Sequence, residues 1–364
     1  MWISEIDTPA VVIDLKVMER NLGRLAEYCR EKQLRLRPHA KTHKIPELAH
    51  KQIAMGACGI TVAKASEARV MVEAGIRDVL VAYPIATDSK ARELATLAER
   101  ASIGVSLDSE DVAEILSRQA VVQQVRIGAL VEIDVGFGRC GVSTAEQAIS
   151  LARRIVQLPG LQFNGLMFYP GHMLAPEVER RRLLMGVNEC LDRIQAAFGR
   201  DGFALNCVSG GSTPTAFMSH EFHGVTEIRP GMYPLYDRNM LTIRVCELRD
   251  CAAAVIVTVV STAVPGKCIV DGGSKTFSSD RLLAGNGVGH GLVLEDEAAV
   301  FVAMSEEHGH LDISKSIRKY RVGERLTIIP NHICATINMH DQVYVTDASR
   351  VQCVWRVAGR GKLQ

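Results

Sequence analysis

Hydrophobic and polar positions follow two regimes along this chain. An apolar run at Ala10, Val11, Val12 and Ile13 comes after Pro9 and reads as a strand. Asp14 then caps a helix to about residue 32, in which Leu15, Met18, Leu22, Leu25 and Ala26 recur at helical spacing. From there a unit repeats. Residues 34–37 read as a strand and 45–55 as a helix, followed by the pairs 59–62 and 65–74, 79–82 and 89–100, 102–107 and 109–119. The pairing continues at 127–133 and 144–157, then at 161–168 with a long helix over 176–198. Strands at 204–208 and 225–229 complete the series. Strand and helix alternate about eight times in roughly 220 residues, the rhythm of an α/β protein built as a (β/α)8 TIM-type barrel. A doubly wound open sheet would need a glycine-rich fingerprint after its first strand, and none is there.

Past Tyr236 the period changes. Residues 241–245, 253–260, 267–270, 293–294, 299–303, 325–329, 342–345 and 351–357 alternate or run apolar, with turns between them. This predicts a smaller all-β domain. The first strand stands outside the barrel rhythm and is assigned to it. The expected division is therefore a barrel over 15–236, and a β domain made of 1–14 plus 237–364.

Composition narrows the function classes. At 364 residues the chain exceeds the usual size of one core, which agrees with two domains. Net charge is +1 and no long basic run appears, which argues against a nucleic-acid partner. The longest apolar stretch, 251–264, is too short to span a bilayer, so no membrane partner is expected. The start Met1-Trp2-Ile3-Ser4-Glu5 shows no secretory signal, and a cytoplasmic location is expected. The 10 cysteines form no CxxC pair and read as reduced thiols.

Barrel active sites lie past the C-terminal ends of the strands. Past the first barrel strand stands Arg37-Pro38-His39-Ala40-Lys41-Thr42-His43-Lys44. Composition alone would make this an exposed basic turn. Yet an amine crowded by Arg37, His39, His43 and Lys44 is favoured in its neutral, nucleophilic form. Lys41 is thus the candidate Schiff-base lysine, with Lys44 on the helix surface. Later strand ends carry Asp134-Val135-Gly136-Phe137-Gly138-Arg139-Cys140-Gly141 and Tyr169-Pro170-Gly171-His172. They also carry Ser209-Gly210-Gly211-Ser212-Thr213-Pro214 and Glu227-Ile228-Arg229-Pro230-Gly231-Met232-Tyr233. The run 209–213 has the chemistry of an anion cradle, with glycines exposing N–H groups and hydroxyls beside them. It lacks a Walker lysine and suits a single phosphate. Arg139 and Arg229 can pair with an anion or a ring, or form surface salt bridges. Tyr169 and Tyr233 can equally be core aromatics.

The β domain adds three clusters and a glycine-rich loop. Asp271-Gly272-Gly273-Ser274-Lys275-Thr276 reads as a polar hairpin turn, and 305–310 as an exposed loop. Gly287-Val288-Gly289-His290-Gly291 reads as a flexible loop. Pro330-Asn331-His332-Ile333-Cys334 follows a strand. On an extended segment residues two apart share a face, so His332 and Cys334 can reach one ion. Imidazole with thiolate suits zinc.

In this order, these motifs resemble the D-threonine aldolase and D-serine dehydratase family, which depends on pyridoxal phosphate and has the alanine racemase-like fold. The similarity covers nearly the whole chain, including Asp271 to Lys275 and Glu307-His308-Gly309. It implies that Lys41 carries pyridoxal phosphate. Gly210, Gly211, Ser212 and Thr213 would hold its phosphate, with Ser209, His39, Tyr169 and Tyr233 around the cofactor. Arg139 would lie near the phenolic oxygen and Arg229 near the pyridine nitrogen. His332 and Cys334 would bind a divalent metal, zinc first, with manganese or magnesium as alternatives. The family's members are usually homodimers.

The resemblance implies a small D-amino acid bearing a β-hydroxyl as substrate. If Lys41 takes the α-proton and hydroxide leaves, the products are a 2-oxo acid and ammonia. If a base such as His43 or a metal-bound water takes the hydroxyl proton, Cα–Cβ breaks and glycine plus an aldehyde result. The family's aldolases tend to carry H-x-D and its dehydratases H-x-C, so Cys334 points to a dehydratase acting on D-serine or D-threo-3-hydroxyaspartate. The competing outcome is D-threonine aldolase chemistry. An amino-acid racemase would need no metal motif, and a non-catalytic cofactor carrier would need no second domain.

Overall fold

The computed structural model describes residues 1–283 and 288–364. Gly287, the first residue of the glycine-rich loop noted above, lies outside them. The chain forms two compact units. One comprises Arg24–Lys41, Pro46–Gly231 and Gly361–Gln364; the other comprises Met1–Gly23, Thr42–Ile45 and Met232–Arg360. Strand β1 (Ala10–Asp14) belongs to the second unit, and helix α1 (Leu15–Glu31) follows it.

Among the described residues the first unit holds one sheet of eight parallel strands. They are β2 (Arg35–Leu36), β3 (Ile60–Val62), β4 (Asp78–Val81), β5 (Ser102–Leu107), β6 (Ile127–Ile133), β7 (Leu161–Phe168), β8 (Val208–Gly210) and β9 (Glu227–Ile228). They run in the order β3-β4-β5-β6-β7-β8-β9-β2. Strand β2 also returns to β3. The Cys58 N–H donates to the Leu36 carbonyl and the Thr61 N–H to the Pro38 carbonyl, each at 2.8 Å, and His39 bridges Thr61. The ring therefore closes as a TIM-like barrel. Helices α2 (Pro46–Ala54), α3 (Ala65–Glu73), α4 (Asp88–Ala98), α5 (Glu110–Val122), α6 (Ala145–Gln157) and α7 (Glu177–Arg200) alternate with the strands. Helix α6 shows why such segments fold: Ala145, Ala148, Leu151, Ala152 and Ile155 form one buried stripe, and Thr144 with Gln147 makes a capping box.

The second unit is built on a nine-stranded sheet among the described residues. It comprises β1 with β10 (Ala253–Ser261), β11 (Lys267–Val270), β12 (Gly291–Val293), β13 (Val300–Met304), β14 (Gly309–Asp312), β15 (Arg325–Pro330), β16 (Gln342–Asp347) and β17 (Arg350–Arg356). Antiparallel pairing closes a ring through β10, β11, β14, β13, β12 and β15. Strand β1 pairs antiparallel with β10 and parallel with β16, and so extends the sheet. Among the described residues no helix is long and apolar enough to cross a membrane.

Several expectations need correction. Residues 241–245 are not a strand. Asp237 accepts the Met240 N–H and starts helix α8 (Arg238–Thr242), a cap that apolar content alone did not reveal. The loop expected at 305–310 leads into β14, whose alternate residues Gly309 and Leu311 are buried. Residues 271–276 are more than a hairpin turn, because helix α9 (Ser274–Phe277) begins there. Strand β8 starts at Val208, later than the expected 204–208. Lys44 is buried instead of lying on a helix surface. It adopts φ 55° ahead of α2, and its carbonyl accepts the Gly359 N–H at 3.0 Å.

Candidate active site

Lys41 lies on a short 3₁₀ turn, Ala40–Thr42, beyond the C-terminal end of β2. Its side chain is exposed. The Nζ stands 5.8 Å from the centroid of the Tyr169 ring, and the Arg139 guanidinium lies over the same ring at 4.8 Å. Tyr169 follows β7, and Arg139 sits on the loop after β6. Lys41 and Arg139, from two strand ends, thus meet at the Tyr169 ring from a third. Phe137 closes edge-on to Tyr169, with centroids 5.5 Å apart. The loop carrying Arg139 is shaped by Asp134, whose Oδ1 accepts the N–H groups of Gly136, Phe137 and Gly138. Gly141 closes it at φ 109°, where a Cβ would stand 2.4 Å from the Asp134 nitrogen.

His39 accepts the Lys41 N–H at Nδ1 (3.3 Å), and His43 accepts the Ile45 N–H at Nδ1 (3.1 Å). Each neutral ring therefore carries its proton on Nε2. His43 and Tyr233 fall in the second unit, and both are fully buried.

The glycine and hydroxyl turn after β8 is buried and tightly knit. The Ser212 N–H donates to Thr215 Oγ1 at 3.0 Å, and the Gly231 N–H donates to Thr213 Oγ1 at 3.2 Å. Gly211 takes φ 82°. Gly210 packs so closely on Phe168 that an added Cβ would stand 2.1 Å from its ring. Ser209 differs from its neighbours. Its hydroxyl donates to Glu227 Oε1 (2.7 Å) and accepts from Arg229 Nη1 (2.6 Å). Arg229 is buried and also donates to the Phe168 carbonyl at 2.8 Å, so it is no surface salt bridge. Burial pushes the Arg229 pKa down, against the pull of Glu227 and Glu132.

Several polar residues here were not singled out from the sequence. Glu132 on β6 is buried, which raises its carboxyl pKa against Arg229, and it accepts the Ser106 hydroxyl at 3.2 Å. Asp108 accepts the Gly141 N–H at 2.9 Å. Its place just past β5 was the available signal. Glu132 lies inside an apolar strand and gave none.

In the second unit, β15 leads into helix α10 (Ile333–Asn338). The H-x-C pair is therefore not on one extended segment. His332 is the extended cap residue, at φ −138° and ψ 97°, and Cys334 lies in the first helical turn. Burial pushes the His332 pKa down, but Cys334, the charge of Asp237 and the Asp280 carboxylate raise it to about 10. Cys334 Sγ lies 3.3 Å from Thr42 Oγ1. Asp237 accepts the N–H groups of Met240 and Ile333, both at 3.1 Å, and so caps α8 and α10 together. Burial pushes the Asp237 carboxyl up to about 6. Among the described residues no group of three or more His, Cys, Asp or Glu could hold a metal.

A closed parallel barrel with an exposed lysine past its first strand, in a chain that also forms an antiparallel β unit, defines the alanine racemase-like class. The alanine racemase N-terminal domain family matches residues 13–237, and a putative serine dehydratase domain matches 252–346. The chain is 30% identical to a D-threonine aldolase of Arthrobacter sp., over 99% of this chain and 94% of the relative. It is 33% identical to a D-threo-3-hydroxyaspartate dehydratase of Delftia sp. (strain HT23), over 91% and 92%. A solved D-threonine aldolase from Filomicrobium marinum aligns with a TM-score of 0.91 at 32% identity, covering 99% of this chain and 98% of that one. The chain belongs to the D-threonine aldolase and D-serine dehydratase family of pyridoxal phosphate-dependent lyases.

The residues present suit both groups that this family implies. An exposed primary amine beside Tyr169 and Arg139, with a buried hydroxyl-rich turn after β8, fits a pyridoxal aldehyde and its phosphate. Imidazole and thiol fit a borderline-soft divalent ion, and two protein donors leave positions for water and substrate.

Proposed function

We propose that this chain dehydrates β-hydroxy D-amino acids of the D-serine or D-threo-3-hydroxyaspartate type, giving a 2-oxo acid and ammonia. The observation that carries this choice is His43. Because Nδ1 accepts the Ile45 N–H, the neutral ring presents an N–H and no free lone pair. It is a proton donor and a poor base for the β-hydroxyl, whose deprotonation an aldol cleavage needs. Cys334 in the H-x-C motif supports the same side.

Lys41 Nζ takes the α-proton, and Tyr169 and Arg139 limit where that amine can swing. Gly210, Gly211, Ser212 and Thr213 would hold the phosphate, and Arg229 would serve the pyridine nitrogen. Arginine keeps its protons, so it leaves that nitrogen without one. When bound, pyridoxal phosphate supplies an electron sink for charge developing at Cα. A zinc ion held by His332 and Cys334 would supply Lewis-acid stabilisation at the β-oxygen. The site works in a homodimer. The enzyme acts in the cytoplasm, where its free cysteines stay reduced.

The test is product analysis with D-serine, D-threonine and D-threo-3-hydroxyaspartate. A 2-oxo acid with ammonia is expected, and Lys41→Ala should lose both turnover and the visible Schiff-base band. Glycine and an aldehyde as the sole products would overturn the choice, and a full band in Lys41→Ala would overturn the lysine assignment.

A further inference from the structure

We propose that Asp280 is a positioning residue for the metal ligand His332, holding the imidazole at Nδ1 so that Nε2 is the nitrogen offered to the ion. This rests on the reading of His332 and Cys334 as a metal pair. Asp280 Oδ2 lies 2.6 Å from His332 Nδ1. A histidine binds a metal through one nitrogen of its neutral ring, so binding expels one proton from the imidazolium and leaves a single tautomer. A carboxylate on the other nitrogen settles it, fixes the ring plane and makes the ligating nitrogen more basic.

The Asp280 carboxylate is aimed by its own backbone. The Asp280 N–H donates to Ser278 Oγ at 3.2 Å, and its carbonyl accepts from Asn331 Nδ2 at 3.1 Å. Asn331, the residue before His332, also donates to the Gly289 carbonyl at 2.9 Å. Its own carbonyl accepts the Asn239 side-chain amide at 2.7 Å. The segment bearing the carboxylate and the segment bearing the imidazole are thus clasped at neighbouring residues. Ser278, two residues before Asp280, sits at φ 67° and ψ 171°. A non-glycine residue there is strained, and such positions cluster at functional sites. None of these backbone bonds uses the Asp280 side chain, so substitution leaves the segment in place.

The experiment compares zinc affinity of the pyridoxal phosphate-loaded protein with that of Asp280→Ala and Asp280→Asn, by competition with a chromophoric chelator. Melting temperature is read in parallel. Asp280→Ala should bind zinc about 10–100-fold more weakly, the usual range for an outer-shell partner. Asp280→Asn should fall between, because its carbonyl oxygen can still accept the Nδ1 proton, and all three proteins should melt alike. Wild-type affinity in Asp280→Ala would overturn the proposal. So would an equal loss in both variants accompanied by lowered melting, which marks a structural role. Wild-type protein that binds no zinc would overturn the metal reading itself, and this proposal with it.

Discussion

Glu227 shows how single side chains set the barrel interior. Its carboxylate meets Arg37 Nε at 3.0 Å and the Ser209 hydroxyl at 2.7 Å, while Arg37 also meets Asp78 at 2.6 Å. Burial pushes the Glu227 pKa up, but Arg37, the Ser209 hydroxyl and Arg35 together bring it below the ordinary 4.5. A depressed carboxyl pKa contributes stability that is present above the ordinary value and lost as pH falls through the folded one. Stability measured by urea denaturation should therefore decline below pH 4.5. In Glu227→Gln this acid dependence should flatten. The same variant should lose about 1.5–3 kcal/mol at neutral pH, since buried Arg37 loses one carboxylate partner and keeps Asp78. Unchanged neutral-pH stability would show that the pair is not a keystone. From sequence, Glu227 was one residue of a motif, and its partners lay 18 and 190 positions away.

At the scale of elements, strands and helices with a regular apolar period were legible. Strands β5, β6 and β7 and helix α6 match the expected spans closely, because each buries a face whose period sequence displays. Short helices were not legible. Helix α8 exists because Asp237 caps it, and α10 begins because the same carboxylate takes its Ile333 N–H. Asp237→Ala should leave two buried N–H groups without an acceptor. The expected loss is about 2–4 kcal/mol in chemical denaturation, from two caps at ~1–2 kcal/mol each. Asp237→Asn should recover part of it, since its carbonyl oxygen still accepts. A loss below about 1 kcal/mol would mean that the two helices hold without the cap.

For the whole molecule, the rhythm of eight strands and helices, followed by an all-β stretch, was enough to announce two architectures and the family that joins them. The homodimer proposed above is a claim at this scale. Light scattering should give twice the protomer mass, and a single-protomer mass would remove it. What sequence by itself determined is what local period and residue chemistry encode: the barrel, the β unit, the basic strand-end motif around Lys41 and the H-x-C pair. Only the tertiary structure decided which polar groups are partners. It turned Ser209 toward Glu227 and Arg229, buried Lys44, set Asp280 on His332, and gave His43 the tautomer of a donor. These outcomes depend on hydrogen bonds between residues distant in the chain and on backbone angles at single positions, and neither leaves a periodic trace in sequence.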